Sequence, residues 1–384
     1  MVKLIPKKMR ANYTEIKTQE ALARVMAEPT DIPLKRTAFH SVDLSVVAEQ
    51  ALAHEYRDCI FLACKMPHGL KRRLTDSLVF PNMGELFQFR TELYTAKSLY
   101  EGYKKKDWGS FAKCYDSRVY KHYLERGKQA SDIKETLART LHDHSISSAL
   151  KDFLSSYSEE DIVGVMGGHS LARTEKSYTQ VARISKRLTE AGKLMITGGG
   201  PGAMEATHLG AWMAGRSDEE LEVAIDLLQD APTFSDPGWL DAAFEVMEQF
   251  PQERYKSLGI PTWLYGHEPS TPLATHIAKY FDNSIREDCI LTLAKGGIIY
   301  TPGSAGTMQE IFQDAVQNHY LSFGYASPMV FLGVDFWTKE VPVYMLIQGL
   351  VARGRYKNLI LSLSDEDDDI VNEILRFTPP SGKG

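Results

Sequence analysis

Glu310 follows Pro302-Gly303-Ser304-Ala305-Gly306-Thr307 by one helical turn, and this pairing of a glycine-rich turn with a carboxylate is the first chemistry the chain offers. The run Gly297-Ile298-Ile299-Tyr300-Thr301 before it is β-branched and aromatic, too short for a helix, and bounded by Lys-Gly and Pro-Gly, so it reads as a buried strand. From Thr307 onward Met308, Ile311, Phe312, Ala315 and Val316 recur at helical spacing. The turn is therefore a strand-to-helix junction. The first amides of a helix lack carbonyl partners and carry the positive end of its dipole, so an anion is bound there by backbone N–H groups. Gly303 and Gly306 let the backbone approach such a ligand, and Ser304, Ala305 and Thr307 complete the loop. Thr307 offers a hydroxyl or a cap, and Glu310 projects from the same helical face, just beyond the anion. A second reading stays open: Thr307 and Glu310 form a capping box.

The elements needed to hold such a turn are visible in the second half of the chain. After about residue 158 short apolar runs alternate with helical stretches. "DIVGVMGG" (161–168) is a strand ending in glycines, 173–192 an amphipathic helix, and "KLMITGGGPGAMEATHLGAWMAG" (193–215) is strand, glycine loop and helix again. Further strands are expected at 222–226, 261–265, 297–301, 328–333 and 358–363. This alternation predicts an α/β fold with a Rossmann-like, doubly wound parallel sheet, whose ligands bind outside the carboxyl ends of the strands. Three glycine-rich loops then share one edge: Gly167-Gly168-His169-Ser170, the segment from Gly198 through Gly199, Gly200 and Gly202 to Met204, and Pro302 to Thr307. Loops of this kind at helix N-termini favour a phosphate-bearing ligand. The second loop fits a dinucleotide fingerprint only with Ala203 in the last place, and Asp226 lies further on than the expected acid, so a mononucleotide is favoured over NAD.

Residues 12–150 read mainly as helices, broken at Pro33, Pro67-His68-Gly69, Pro81 and Gly109, with no evident internal repeat. The chain has 384 residues, 43% hydrophobic and 24% charged. Residues 1–150 hold 25 Lys and Arg against 18 Asp and Glu, and 151–384 hold 19 against 32. This asymmetry supports a boundary near residue 150, between a helical N-terminal region over 1–150 and an α/β domain over 151–384. The basic residues are dispersed among acids and accompany no nucleic-acid motif, so no nucleic-acid partner is expected. Apolar runs fall short of a membrane span, and "MVKLIPKKMRANYTEIK" lacks an apolar signal core, so no membrane partner and a cytoplasmic location are expected. Cys59, Cys64, Cys114 and Cys289 are scattered, which indicates neither disulfides nor a zinc site. The acidic stretch 362–375 reads as dipole compensation at a helix start rather than a metal site.

"GGGPGAMEA" followed by "PGSAGTMQE" resembles the paired motifs of the LOG ("lonely guy") family, including its pattern PGGxGTxxE. Pro302, Gly303, Gly306, Thr307 and Glu310 match it, and Ser304 replaces a glycine, which keeps a backbone N–H and adds a hydroxyl. The resemblance covers about residues 160–365 and is nearest to the longer bacterial members acting on purine and pyrimidine nucleotides, often mislabelled lysine decarboxylases. It implies a Rossmann-like phosphoribohydrolase that cleaves the N-glycosidic bond of nucleoside 5′-monophosphates, without metal or organic cofactor, as a homodimer or higher homo-oligomer. It also implies an arginine upstream of the motif, for which Arg286 is the candidate, making Glu310 and Arg286 the catalytic pair. Breaking the bond at ribose C1′ develops oxocarbenium-like charge, and a carboxylate beside it stabilises that charge or orients water. His276, Lys279, Asn283 and Arg286 would form one polar face if 274–288 is helical, and Trp263, Tyr265 and His267 are candidates for base stacking. Two other readings compete: a nucleotide-binding sensor without turnover, and a lysine decarboxylase, which would need a Schiff-base lysine with no supporting context here.

Overall fold

The apolar runs between residues 14 and 80 are too brief for helices, and they pair side by side as strands. In the computed structural model, which describes residues 13–380, they are β1 (Thr14–Ile16), β2 (Leu34–Lys35), β3 (Thr37–His40), β4 (Tyr56–Arg57), β5 (Cys59–Leu62) and β6 (Ser77–Phe80). The basic stretch before Tyr13 read above lies outside the described residues. Strands β1-β3-β5-β6 form a parallel sheet in that order, and β2 pairs with β4. The register aligns Ile16, Phe39, Phe61 and Val79 in one row, with the Phe39 and Phe61 rings stacked at 4.7 Å. Positive φ at Arg36 and Ser41 recurs at Asp58 and Ala63, so the same kinks return 22 residues later. The mainly helical reading of 12–150 therefore holds for its later part, with helices Tyr115–Arg126 and Ile133–Leu154, and is corrected in its earlier part. Strands of two to four residues hold at most two periods of alternation, which is too little to read as a pattern.

The chain divides into two units: residues up to Glu92 with Ser131–Ala149, and Leu93–Ala130 with the chain from Leu150 onward. The expected boundary near 150 had grouped Leu93–Ala130 with the N-terminal part. In the second unit Tyr94 exchanges backbone hydrogen bonds with Ile277, and Asp116 pairs with Lys279 at 2.7 Å.

The second unit carries β7 (Ile162–Met166), β8 (Leu194–Thr197), β9 (Ser257–Gly259), β10 (His276–Ile277), β11 (Gly297–Tyr300), β12 (Pro328–Leu332) and β13 (Ile360–Ser364). The sheet order is β10-β9-β8-β7-β11-β12-β13, parallel throughout, which makes the fold α/β and Rossmann-like. The chain winds outward from β7 to β10, returns to β7's other flank as β11, and winds out again. Val163, Ile299 and Val330 on the sheet and Tyr178, Leu209 and Ile225 on helices fill its core.

Two expected strands are corrected. Residues 222–226 lie within the helix Asp218–Gln229, started by a capping box between Ser217 and Glu220 that outweighs the β-branched content. Residues 261–265 hold a single tight turn, Trp263–Tyr265, and the strand falls earlier, at β9. In the acidic stretch, Asp367, Asp368 and Asp369 open the helix Asp367–Arg376, and the Ser364 hydroxyl accepts from the Glu366 amide. Among the described residues no helix is long and apolar enough to cross a membrane, and no group of three or more His, Cys, Asp or Glu is arranged to hold a metal.

Candidate active site

Strand β7 has β8 on one side and β11 on the other, with chain connections leaving in opposite directions, so a crevice opens beyond their carboxyl ends. The three glycine-rich loops meet there and bond to one another. The Thr301 amide donates to the Met166 carbonyl (2.8 Å), the Gly168 amide to Pro302 (3.0 Å) and the Ala203 amide to Gly168 (3.2 Å). Gly202, at φ +71°, sits so close to the Gly168 carbonyl that a side chain there would drive the two loops apart. Gly199 packs on Gly259 and Pro261, and Gly303 on the Thr307 side chain. These three glycines hold the loops together, whereas Gly198, Met204, Ser304, Ala305, Gly306 and Thr307 line a cavity of about 380 Å³ and Gly200 lines a small lobe beside it.

The helix Ala305–Tyr320 begins two residues earlier than the spacing predicts, with Ser304 at its N-cap and no side-chain cap bond. Thr307 thus lies inside the first turn, buried against Gly303, and the capping box with Glu310 does not form. Within the described residues the amides of Ala305, Gly306 and Thr307 find no acceptor in the chain, and this open N-terminus faces the cavity.

Glu310 lines the same cavity one turn further along. Burial pushes its carboxyl up to about 7, Arg286 opposes that shift, and Glu287 adds to it. Arg286 comes from the helix Asn283–Leu293, capped by Asp282 through the Ser284 amide, and its Nε donates to the Ile260 carbonyl at 3.2 Å. Arg286 and Glu310 share the cavity without a direct ion pair, which leaves both available to a ligand. The two helices are fastened by Gln309 to Glu287 (3.2 Å) and Gln313 to Asp288 (2.6 Å). Beneath Glu310, on the same face, Asp314 accepts from the Tyr300 hydroxyl (2.7 Å) and from Asn318 (3.1 Å). Burial pushes Asp314 up to about 7 as well, against the Tyr300 hydrogen bond.

The expected polar stripe is corrected. His276 belongs to β10, and the helix starts only at Asn283, so the four residues share no face. His276 stacks on Phe153 at 4.3 Å, and burial pushes it down to about 4. Lys279 is buried against Asp116, Ser270 (3.0 Å) and the face of Trp263 (5.3 Å). Trp263 is core and donates to Asp116 (2.9 Å), while Tyr265 borders the cavity. Asp226, weighed as a ribose-binding acid, lies in a helix. Glu268, Glu287, Gln309 and Gln313 also line the cavity. Helical spacing could have pointed from Glu310 to Gln313, three residues on, whereas Glu287 and Gln309 are chain neighbours of Arg286 and Glu310 rather than one turn away, and Glu268 stands in an irregular loop and carried no signal.

No family model and no curated protein matches the chain. Among solved structures it is similar to the molybdenum cofactor binding protein from the phototrophic bacterium Rippkaea orientalis, at 14% identity and TM-score 0.33, over 56% of this chain and 96% of that one. It is also similar to the Moco carrier protein of Chlamydomonas rheinhardtii, at 16% identity and TM-score 0.32, with the same coverage. Likenesses this distant contribute nothing to the reading of the site.

Proposed function

We propose that this protein hydrolyses the N-glycosidic bond of nucleoside 5′-monophosphates, releasing the free base and ribose 5-phosphate. The observation that carries this is a carboxylate with raised pKa, Glu310, one helical turn past an uncapped helix N-terminus in the crevice of a doubly wound sheet. The open amides of 305–307 suit a 5′-phosphate, and Glu310 is then within reach of C1′. In its ionised form it stabilises positive charge on the ribose as the C1′–N bond breaks and its electron pair leaves with the base, or orients the water that attacks C1′ and takes its proton; the proton lost by the water ends on the base nitrogen, which leaves as the neutral base. Arg286 contacts phosphate or base, and its charge opposes, without overcoming, the effect of burial on Glu310. The LOG resemblance supports the same assignment and brings a homodimer with it, which light scattering at twice the chain's 43.2 kDa tests. Incubating the protein with a panel of nucleoside monophosphates and measuring free base tests the activity: release is expected, and nucleotide binding without release would favour the sensor reading instead.

A further inference from the structure

Glu268 stands in the loop between β9 and β10 and borders both the main cavity and the small lobe beside it. The turn Ser304 to Thr307 borders only the main cavity, whereas Gly198, Met204, Tyr265 and Arg286 border both, so the lobe opens from the part of the cavity away from that turn. Besides Glu268 and Arg286 the lobe is lined by Gly198, Gly200, Pro261, Pro269 and Tyr265, with Met204, Thr262 and Ser270 among them, and its volume of about 40 Å³ admits the edge of a planar heterocycle rather than a whole base. The Glu268 side chain is only 18% exposed, yet among the described residues its carboxylate accepts no hydrogen bond. Oε1 has the Nε2 atoms of His267 and His169 at 3.6 and 3.8 Å, beyond hydrogen-bond distance and within ion-pair range only of a protonated ring. Oε2 faces Gly200, where a side chain would approach it to 3.8 Å and crowd Met204 at 2.9 Å. Two acceptors are thus held open inside the cleft, and an acceptor left unmet on ligand binding is costly.

Resting on the nucleotide reading above, we propose that Glu268 selects the base and that the preferred base is guanine. A carboxylate presents two adjacent acceptors. Guanine answers with two adjacent donors, N1–H and the exocyclic N2 amino group, in a bidentate pair. Hypoxanthine keeps only the first of these. Adenine and cytosine set a ring-nitrogen acceptor beside their amino group, and uracil flanks its single N–H with carbonyl acceptors, so each leaves one oxygen of Glu268 unmet or opposed.

The test is calorimetric binding of GMP, IMP and AMP to full-length protein carrying Glu310→Gln, which slows turnover by ~10²-fold or more. GMP should bind about 10- to 100-fold tighter than AMP, the scale of one bidentate base contact, with IMP between them. Adding Glu268→Gln turns the acceptor pair into one acceptor and one donor, which is adenine's complement, so the GMP-to-AMP ratio should fall by about 10-fold or more. Glu268→Ala should bring all three together. Equal affinities before the change, an unchanged ratio after it, or an equal loss for all three nucleotides, as expected of a ribose contact, would each overturn the proposal. Base release by the wild-type protein separates the two readings. Selective GMP binding without release leaves base selection standing and removes the hydrolase, while release from all nucleotides alike with no binding preference does the reverse.

Discussion

At the scale of single residues, Glu310 carries the account, and its protonation ties activity to stability. With its carboxyl near 7 in the folded protein, the ionised form needed at C1′ is lost as pH falls, so kcat/KM should decline tenfold per unit on the acid side of about 7. A profile flat from pH 5 to 8 would remove Glu310 from that role. The unfolded chain releases the same proton near the ordinary 4.5. Between these values the folded state holds more protons, so stability falls as pH rises across the window, and above about 7 the ionised, half-buried carboxylate carries its full cost. Glu310→Gln should therefore melt higher than wild type at pH 8, by roughly 2–4 °C for each kcal/mol relieved, and equally with it at pH 4. Thermal melts at the two pH values decide it: a lower melting point for the variant at pH 8 would mean that Arg286 outweighs burial.

At the scale of elements, the site is three loops and one helix start. The amides of 305–307 have nothing to bind in a bare nucleoside, so adenosine should be at least ~100-fold poorer than AMP in kcat/KM, and comparable values would contradict the loop's role. This part of the molecule was legible in the sequence. Strands β7, β8, β11 and β12 are four- or five-residue apolar runs punctuated by glycine or proline, and their fall near the expected positions put the three loops on one edge. What escaped reading depended on contacts between distant residues. "ELEVAID" has strand composition, but Ser217 and Glu220 cap it as a helix. Lys279 looked like one step of a helical stripe, but Asp116, 163 positions earlier, holds it in the core. Glu268 sits in a loop of Pro, Gly and His, where no periodicity assigns a side chain to a cavity.

At the scale of the whole molecule, the unit that holds the site is not continuous in sequence, because Leu93–Ala130 belongs with it. Asp116 and Lys279 are both nearly fully buried, and removing one leaves the other as an unpaired buried charge. Asp116→Ala should cost about 3–5 kcal/mol of stability by denaturant unfolding, and a paired replacement such as Asp116→Leu with Lys279→Met much less. A fragment beginning at residue 151 loses Asp116 altogether and should unfold at lower denaturant than the full chain, whereas an equally stable fragment would show that the pair contributes nothing. The central claim is that Glu310 breaks the glycosidic bond of a bound nucleotide. It is tested most directly by measuring the release of free base and ribose 5-phosphate from nucleoside monophosphate by wild type and Glu310→Gln, with nucleotide affinity measured beside it. The account predicts equimolar products from wild type and a loss of ~10²-fold or more in kcat for the variant at little-changed affinity. Wild-type rates in the variant, or no products from wild type with any nucleotide, would contradict it.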